Sequence, residues 1–526
     1  MTRSVVVIGA GMGGLASAAR LSALGHDVTV IEKEASVGGK ARRVTVDGEL
    51  IEAGPTVFTM RDVYDGIFRG CGERLEDHVT VRRAEVLARH AWGSDHPGGA
   101  GRLDLFADPL RSEAAIGDFA GREAALGYRR FRAATRRMHD ILDEPMMRGD
   151  NVSSPLPLLW RIGLHRLDAF AAMRPHTNMW KALAEFFPDP RLRQLFGRYA
   201  TYCGSSPFAA PATLMLIAHV EARGVWLIEG GIHSLARALH TVCAARGVTF
   251  RFGTAVSEIE VANGRASGVR LVDGSRIGAD AVICNADPNA LATGQLGEGA
   301  MRAVRALPAQ KRSLSAMVWF AHAQTDGFDM THHNVVFSPD YGREFAEIAD
   351  GRIPSDPSVY VCAQDRSARQ ERGPEITGRE RLQIIVNAPA NGDTHTYSSE
   401  EIEQCTRAMT RRLARCGLTL ERDMPSQVAS PTDWNRLYPA TGGALYGRAS
   451  HGSAASFLRQ GQRTRLPGLY CAGGATHPSA GVPMAALSGL LAAKTASADL
   501  TSMRRSIRAG IPGGISMRSA KTGSMG

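Results

Sequence analysis

No two of the chain's cysteines stand in CxxC spacing, and no cysteine–histidine cluster has the spacing of a zinc site. That removes zinc modules and thioredoxin-type motifs from consideration. The eight cysteines (Cys71, Cys203, Cys243, Cys284, Cys362, Cys405, Cys416 and Cys471) are dispersed instead, as small buried thiols are in a reducing cytoplasm. No apolar run reaches about 18 residues, so no transmembrane helix is expected and any membrane contact should be peripheral. A strand-like run begins at residue 4, so no signal peptide is expected. Aromatics are few, at 6%, and scattered, and no nucleic-acid module is recognisable, so nucleic acid is not an expected partner. Although 57 glycines are present, they lack the three-residue period of collagen. No acid follows Asp499, whereas Arg504, Arg505, Arg508, Arg518 and Lys521 do. Residues 501–526 therefore read as a basic, disordered tail, inert or weakly tethered to anionic lipid.

What is present fits a globular enzyme: 44% hydrophobic and 22% charged residues over 526 positions, enough for several domains. The net charge of +10 favours anionic partners, although most of it is accounted for by an arginine-rich solvated surface. The most informative stretch is residues 4–42. A β-branched run over 5–8 leads into Gly9-x-Gly11-x-x-Gly14, a small-residue helix pattern, and a second apolar run over 28–31 ending in Glu32. Gly9 permits a tight turn, Gly11 lets a pyrophosphate approach the backbone, and Gly14 lets the helix pack on the sheet. Glu32, about 20 residues on, is placed to hydrogen-bond ribose hydroxyls. That order of elements predicts a dinucleotide site. Gly38 and Gly39, followed by Lys40 and Arg42, supply further turn glycines and basic groups for a diphosphate.

The rest divides by pattern. Residues 1–88 form the first part of the nucleotide-binding domain, with a hairpin over 44–54 and a Gly-Pro turn at 54–55. Helical patterns dominate 89–224. Within them Leu156, Leu159, Trp160, Leu164, Leu167 and Phe170 fall near one face of a helix spanning 156–171, with Arg161, His165 and Asp168 elsewhere. Such a face suits burial against a core, the ordinary outcome, or a membrane interface. Strand, glycine-pair and helix patterns return over 225–306 as a second part of the nucleotide-binding domain. Residues 307–433 read as a mixed sheet with helical cover, the substrate domain. Residues 434–500 close the chain with a strand, the loop 472–483, and a helix opened by Pro483, whose positive end could face an anionic centre.

Taken together, these residues resemble the flavoprotein carotenoid desaturases of the bacterial phytoene-desaturase type. The likeness runs from residue 5 to about 500. Its anchors are Gly9 to Gly14, Glu32 with Gly38-Gly39, Glu52-Ala53-Gly54-Pro55, residues 196–213, Gly230-Gly231, Asn285-Ala286-Asp287 and the closing 472–483 loop. In the blocks 332–335 and 361–366 the chain looks most like the 1-hydroxycarotenoid 3,4-desaturases (hydroxyneurosporene or methoxyneurosporene dehydrogenases). The resemblance implies an α/β fold: a Rossmann-like FAD-binding domain of glutathione-reductase/amine-oxidase type assembled from three chain segments, with an inserted mixed-sheet substrate domain and a helical region. It implies FAD, its adenosine side held by Gly9, Gly11, Gly14 and Glu32. Gly39, Lys40 and Arg42 follow near the phosphates and Val256 lines the adenine side, while Gly473, Gly474, Gly481 and Val482 face the flavin. Two departures are visible. The hairpin acid, often Asp, is Glu52, and Ala475 follows the 473–474 pair, where an acid varies in the family.

The resemblance further implies a long polyene substrate, oxygen or a membrane quinone as electron acceptor, and a cytoplasmic protein peripherally associated with the inner membrane. No metal and no catalytic residue is assigned, and His332, His333, Asp365 and Arg366 are given structural roles. Phytoene desaturation is the alternative activity. Rival readings are an amine-oxidase-like or NAD-linked enzyme, which Glu32 alone does not separate from FAD, and a Rab-escort-like prenyl-lipid carrier, which the intact phosphate-binding glycines disfavour.

Overall fold

The computed structural model describes residues 2–150, 154–163, 165–368 and 378–509. Five short strands from three distant stretches form one parallel sheet, in the order Leu469–Cys471, Ala281–Cys284, Ser4–Ile8, Asp27–Ile31 and Thr249–Arg251. A parallel sheet must be covered on both faces, and the alternation of these strands shows how. Val5, Val7, Val28, Val30 and Ile283 pack beneath the helices Met12–Ala23, Gly231–Ala245 and Val482–Ala509. Val6, Ile8, Ile31, Val282 and Cys284 pack on the opposite side against Ile259, Ala266 and Val269. Those three belong to an antiparallel layer, Val256–Ala262, Arg265–Leu271 and Arg276–Gly278. The strand Trp226–Ile228 stays outside the central sheet and pairs with Val81–Arg83.

A second, seven-stranded mixed sheet runs in the order Ser426–Ala429, Ser315–Ala323, Glu380–Ala388, Val359–Ala363, His333–Val336, Val86–Trp92 and Gly101–Phe106. The last two strands differ from the helical pattern expected from residue 89 onward. Val86–Trp92 is covered on both faces, so the polar/apolar alternation that marks a strand is missing. Arg89, the charged residue in it, is paired with Asp104 across the hairpin at 2.7 Å.

The helix expected over 156–171 is two helices, Pro155–Ile162 and Leu167–Met173, separated at Gly163, whose φ is 101°. The break turns Leu156, Trp160 and Leu167 of the expected face outward, while Phe170 still packs inward. Leu158, Ile162, Ala169 and Met173 are buried, whereas Leu156, Trp160 and Leu167 are 65%, 72% and 75% exposed. Leu164 lies outside the described residues. The last helix runs to Ala509, past the tail boundary placed at 501, and residues 510–526, with Arg518 and Lys521, lie outside the described residues. Among the described residues no helix is long and apolar enough to cross a membrane.

Candidate functional site

The site starts where the first strand ends. Gly9 has φ +94°, a conformation side chains rarely adopt, and a Cβ at Gly14 would lie 2.0 Å from the Gly9 carbonyl oxygen. Helix Met12–Ala23 therefore starts against the turn itself. Its N-cap is Gly11, which offers no side-chain cap, so the N–H groups of the first turn remain available to an anion. Gly38 donates its N–H to the Ala10 carbonyl at 2.9 Å, and a Cβ at Gly39 would stand 3.1 Å from the Gly11 Cα. On the other side of the turn, a Cβ at Gly13 would meet Asn285 Oδ1 at 2.6 Å and Gly473 Cα at 2.7 Å. Three stretches of backbone thus converge on one turn.

Glu32 ends the second strand with its carboxylate buried. Oε2 accepts the Ala10 N–H at 2.6 Å and Oε1 the Glu34 N–H at 3.0 Å. Burial raises its pKa above the ordinary 4.5, and the two backbone hydrogen bonds oppose that rise. Gly9, Gly11, Glu32, Gly39, Lys40, Arg42, Val256, Gly473, Gly474, Gly481 and Val482 all border one cavity of about 720 Å³. Gly14 does not border it; it acts behind the turn, through helix packing. Lys40 donates to the Leu445 carbonyl at 2.5 Å and lies 5.1 Å over the Tyr438 ring. Glu52 is turned elsewhere. It accepts the His233 N–H at 3.0 Å, at the start of helix Gly231–Ala245, and pairs with Arg43 at 2.6 Å. The absent Cβ at Gly231 makes room for that carboxylate.

Beyond the glycine turns the same cavity passes between Leu142, Met146, Met147, Leu214, Ile217, Val220, Val335 and Phe337. No role in the site was expected of the polar residues that border this part. Tyr202 donates to Glu221 Oε2 at 2.7 Å, and the Tyr360 hydroxyl lies 2.7 Å from both Thr56 Oγ1 and His333 Nδ1. Nothing in their local spacing marks them; the sheet and helix packing brings them together. His332 and His333 are buried, and burial holds both rings neutral: it pushes the pKa of His332 down to about 4 and that of His333 well below 6.5. Asp365 pairs with Arg381 at 2.5 Å and Arg366 with Glu380 at 2.8 Å, fastening the strand Glu380–Ala388.

The cradle fits a flavin dinucleotide. Glycine backbone without Cβ atoms, free N–H groups at a helix start, and an acid on the neighbouring strand match a diphosphate and a ribose. The family model described as flavin containing amine oxidoreductase matches residues 12–496. The hydroxyneurosporene desaturase of Rubrivivax gelatinosus is 47% identical over 526 residues, covering 100% of this chain and 99% of that protein. That of Cereibacter sphaeroides is 44% identical over 508 residues, 95% of this chain and 99% of that protein. A solved oxidoreductase from Methanosarcina mazei shares the fold, with a TM-score of 0.59 at 19% identity over 93% of this chain and 99% of its own. With a family match across nearly the whole chain and the dinucleotide cradle intact, the protein belongs to the flavin-containing amine oxidoreductase family and is an FAD-dependent oxidoreductase.

Proposed function

We propose that the protein desaturates a carotenoid, forming the C3–C4 double bond of a 1-hydroxycarotenoid such as hydroxyneurosporene. The observation that carries this reading is the continuity of the cavity, from the glycine cradle into a region walled by leucine, methionine, valine and phenylalanine. A long hydrocarbon is held by such contacts, with few polar marks. The full-length similarity to hydroxyneurosporene desaturases supports the choice of substrate.

Bound FAD supplies the hydride acceptor. The substrate loses one hydrogen as hydride and one as a proton from adjacent carbons, and the remaining electron pair becomes the new double bond. The chain's part is to hold the dinucleotide through Gly9, Gly11, Glu32, Gly39, Lys40 and Arg42, with Val256 on the adenine side and Gly473, Gly474, Gly481 and Val482 toward the flavin. Its apolar wall orients the polyene and excludes water, which turns a bimolecular encounter into a positioned one. Reoxidation falls to oxygen or a membrane quinone.

The protein works at the cytoplasmic face of the inner membrane, held peripherally. Leu156, Trp160 and Leu167 project outward beside Arg161 and Arg166, an arrangement suited to an anionic lipid interface. The buried side of the same helix pair packs with Leu142, Met146 and Leu216, all of which border the cavity. A lipid-soluble substrate would thus pass from bilayer to cavity over a short apolar route.

The deciding assay supplies FAD-loaded enzyme with liposomal 1-hydroxyneurosporene and, separately, phytoene, followed by pigment analysis. The expected result is conversion of the hydroxylated carotenoid. Conversion of phytoene alone makes the protein a phytoene desaturase, and failure to bind FAD would return it to the prenyl-lipid carrier reading.

A further inference from the structure

A second cavity, of about 640 Å³, backs onto the 472–483 loop, and cations dominate the charge on its wall. Arg459, Asp287 and Ala475 border both cavities, so the two share a partition. Away from the partition the wall carries Arg305, Arg448, Arg463, Arg465 and Lys494. The main-chain N–H of Arg465 donates to the Ala303 carbonyl at 2.9 Å, which holds the 457–465 loop against the 303–307 segment. Two of the five cations are already paired, Arg463 with Asp499 at 2.5 Å and Lys494 with Asp150 at 3.5 Å. Among the described residues the side chains of Arg305, Arg448 and Arg465 have neither a hydrogen-bond acceptor nor a carboxylate partner. Arg305 and Arg465 are exposed, and Arg448 is half-buried with its guanidinium nitrogens still accessible. Burial acts on the pKa of Arg448 downward, and no carboxylate counters it. The like charge beside it, the Arg459 guanidinium, is held by the carbonyls of Tyr446, Gly474 and Arg448.

A half-buried guanidinium without an acceptor is costly, and one that faces a pocket marks the place of an anion. Three unpaired guanidinium groups on one wall suit phosphate, whose oxygens match their paired N–H donors. The rim is apolar. Leu458 is 53% exposed, and its neighbour Phe457 packs against the buried side of the helix pair that projects Leu156, Trp160 and Leu167 outward. Arg161 of that pair donates to the Asp150 carbonyl at 2.6 Å, and Asp150 borders the pocket. Unpaired cations joined to an apolar rim match one amphiphile, a phospholipid.

We propose that this second pocket binds the headgroup phosphate of an anionic phospholipid through Arg305, Arg448 and Arg465, and so docks the protein on the bilayer beside the helix pair. The inference rests on the peripheral-membrane reading above, to which it adds a ligand and a site.

The test uses the FAD-loaded full chain and flotation with vesicles of phosphatidylcholine, alone or mixed equally with phosphatidylglycerol. R305Q/R448Q/R465Q is compared with wild type and with R122Q/R411Q/R422Q, which removes the same charge from exposed positions that border neither cavity. The pocket variant should lose roughly thirty- to a hundredfold in partition onto the anionic vesicles, and the control variant less than about threefold. At matched ionic strength, inorganic phosphate should displace wild type from these vesicles more than chloride does, and the pocket variant no more than chloride does. Equal losses in the two triple variants overturn the pocket as the lipid site. Calorimetric binding of inorganic phosphate by wild type and not by the pocket variant, with flotation of the variant unchanged, makes this a site for free phosphate and overturns the lipid. If the pocket variant fails to hold flavin, R305Q/R465Q, changed only at exposed positions, decides by the same comparison, with a loss of about tenfold expected. Wild type that stays in the soluble fraction beside anionic vesicles overturns the peripheral reading and this inference with it. Wild type that floats, with the pocket variant floating equally, overturns this inference alone.

Discussion

A β-carbon at Gly13 would stand 2.7 Å from the Cα of Gly473, so the first and last glycine motifs meet backbone to backbone. The contact couples the turn proposed to receive the diphosphate to the loop proposed to face the flavin. Gly13→Ala must push the two apart or displace Asn285, whose Oδ1 is 2.6 Å from the same position. The expected outcome is a loss of about 1–3 kcal/mol of stability, as for overpacked interiors, and roughly tenfold weaker FAD binding by titration of flavin fluorescence. Unchanged affinity would mean that the loop yields freely.

Glu32 has a different signature. Its carboxylate accepts two backbone N–H groups and borders the dinucleotide cavity, so its ionised form should be the one that binds. Burial raises its pKa, which places the loss of that form at a higher pH than for an exposed glutamate. FAD affinity should therefore weaken on acidification through this raised pKa, and Glu32→Gln should flatten the dependence. Glu32→Ala, which removes both acceptors, should weaken FAD by roughly ten- to a hundredfold. Equilibrium dialysis across a pH series checks both.

The outward residues of the split helix pair give a test of location. Flotation with anionic liposomes should carry the wild-type protein upward, and L156S/W160S/L167S should leave most of it in the soluble fraction. High salt should weaken a contribution from Arg161 and Arg166 by screening. Flavin content should not change, because these side chains are exposed. Equal flotation of the variant would place the lipid contact elsewhere.

Glu344 sets a stability term with a defined sign. Ser358 donates to its Oε2 from N at 3.1 Å and Oγ at 2.7 Å, while Oε1 is buried without a partner. Burial pushes its pKa from 4.5 up to about 7. The folded state therefore holds a proton that the unfolded chain releases. The resulting stabilisation is fully present below pH 4.5 and lost as pH rises to about 7, a difference of roughly 3 kcal/mol. Glu344→Gln, a neutral mimic, should not show this loss. Urea denaturation of both proteins at pH 5 and pH 8 should show the gap shifting in favour of the variant at pH 8.

The glycine turns and the acid that meet at one cavity were legible in the sequence because each answers to a local demand. Gly9, Gly11, Gly39, Glu32 and the 473–474 pair are each fixed by a turn, a close approach or a strand end within a few residues. The three-segment assembly of the domain was legible for the same reason: each segment carries its own strand and glycine signals. The split at Gly163 was not, because the apolar spacing over 156–171 fits a continuous helix and hides which side faces outward. The hairpin 86–106 was not, because a strand covered on both faces loses its alternation. Glu52 was read as a variant of a family motif, whereas packing makes it the partner of a helix N-terminus. Tyr202 lies in the 196–213 stretch that carries the resemblance, but nothing in its spacing shows that it meets Glu221 at the cavity wall, because that contact depends on packing between distant elements. The sequence by itself determined the dinucleotide turn, since backbone geometry at a glycine turn is a local property, and the family resemblance carried by its motifs narrowed the dinucleotide to FAD. Only the tertiary structure decided what surrounds the substrate, since burial, pairing and exposure depend on elements brought together from far along the chain.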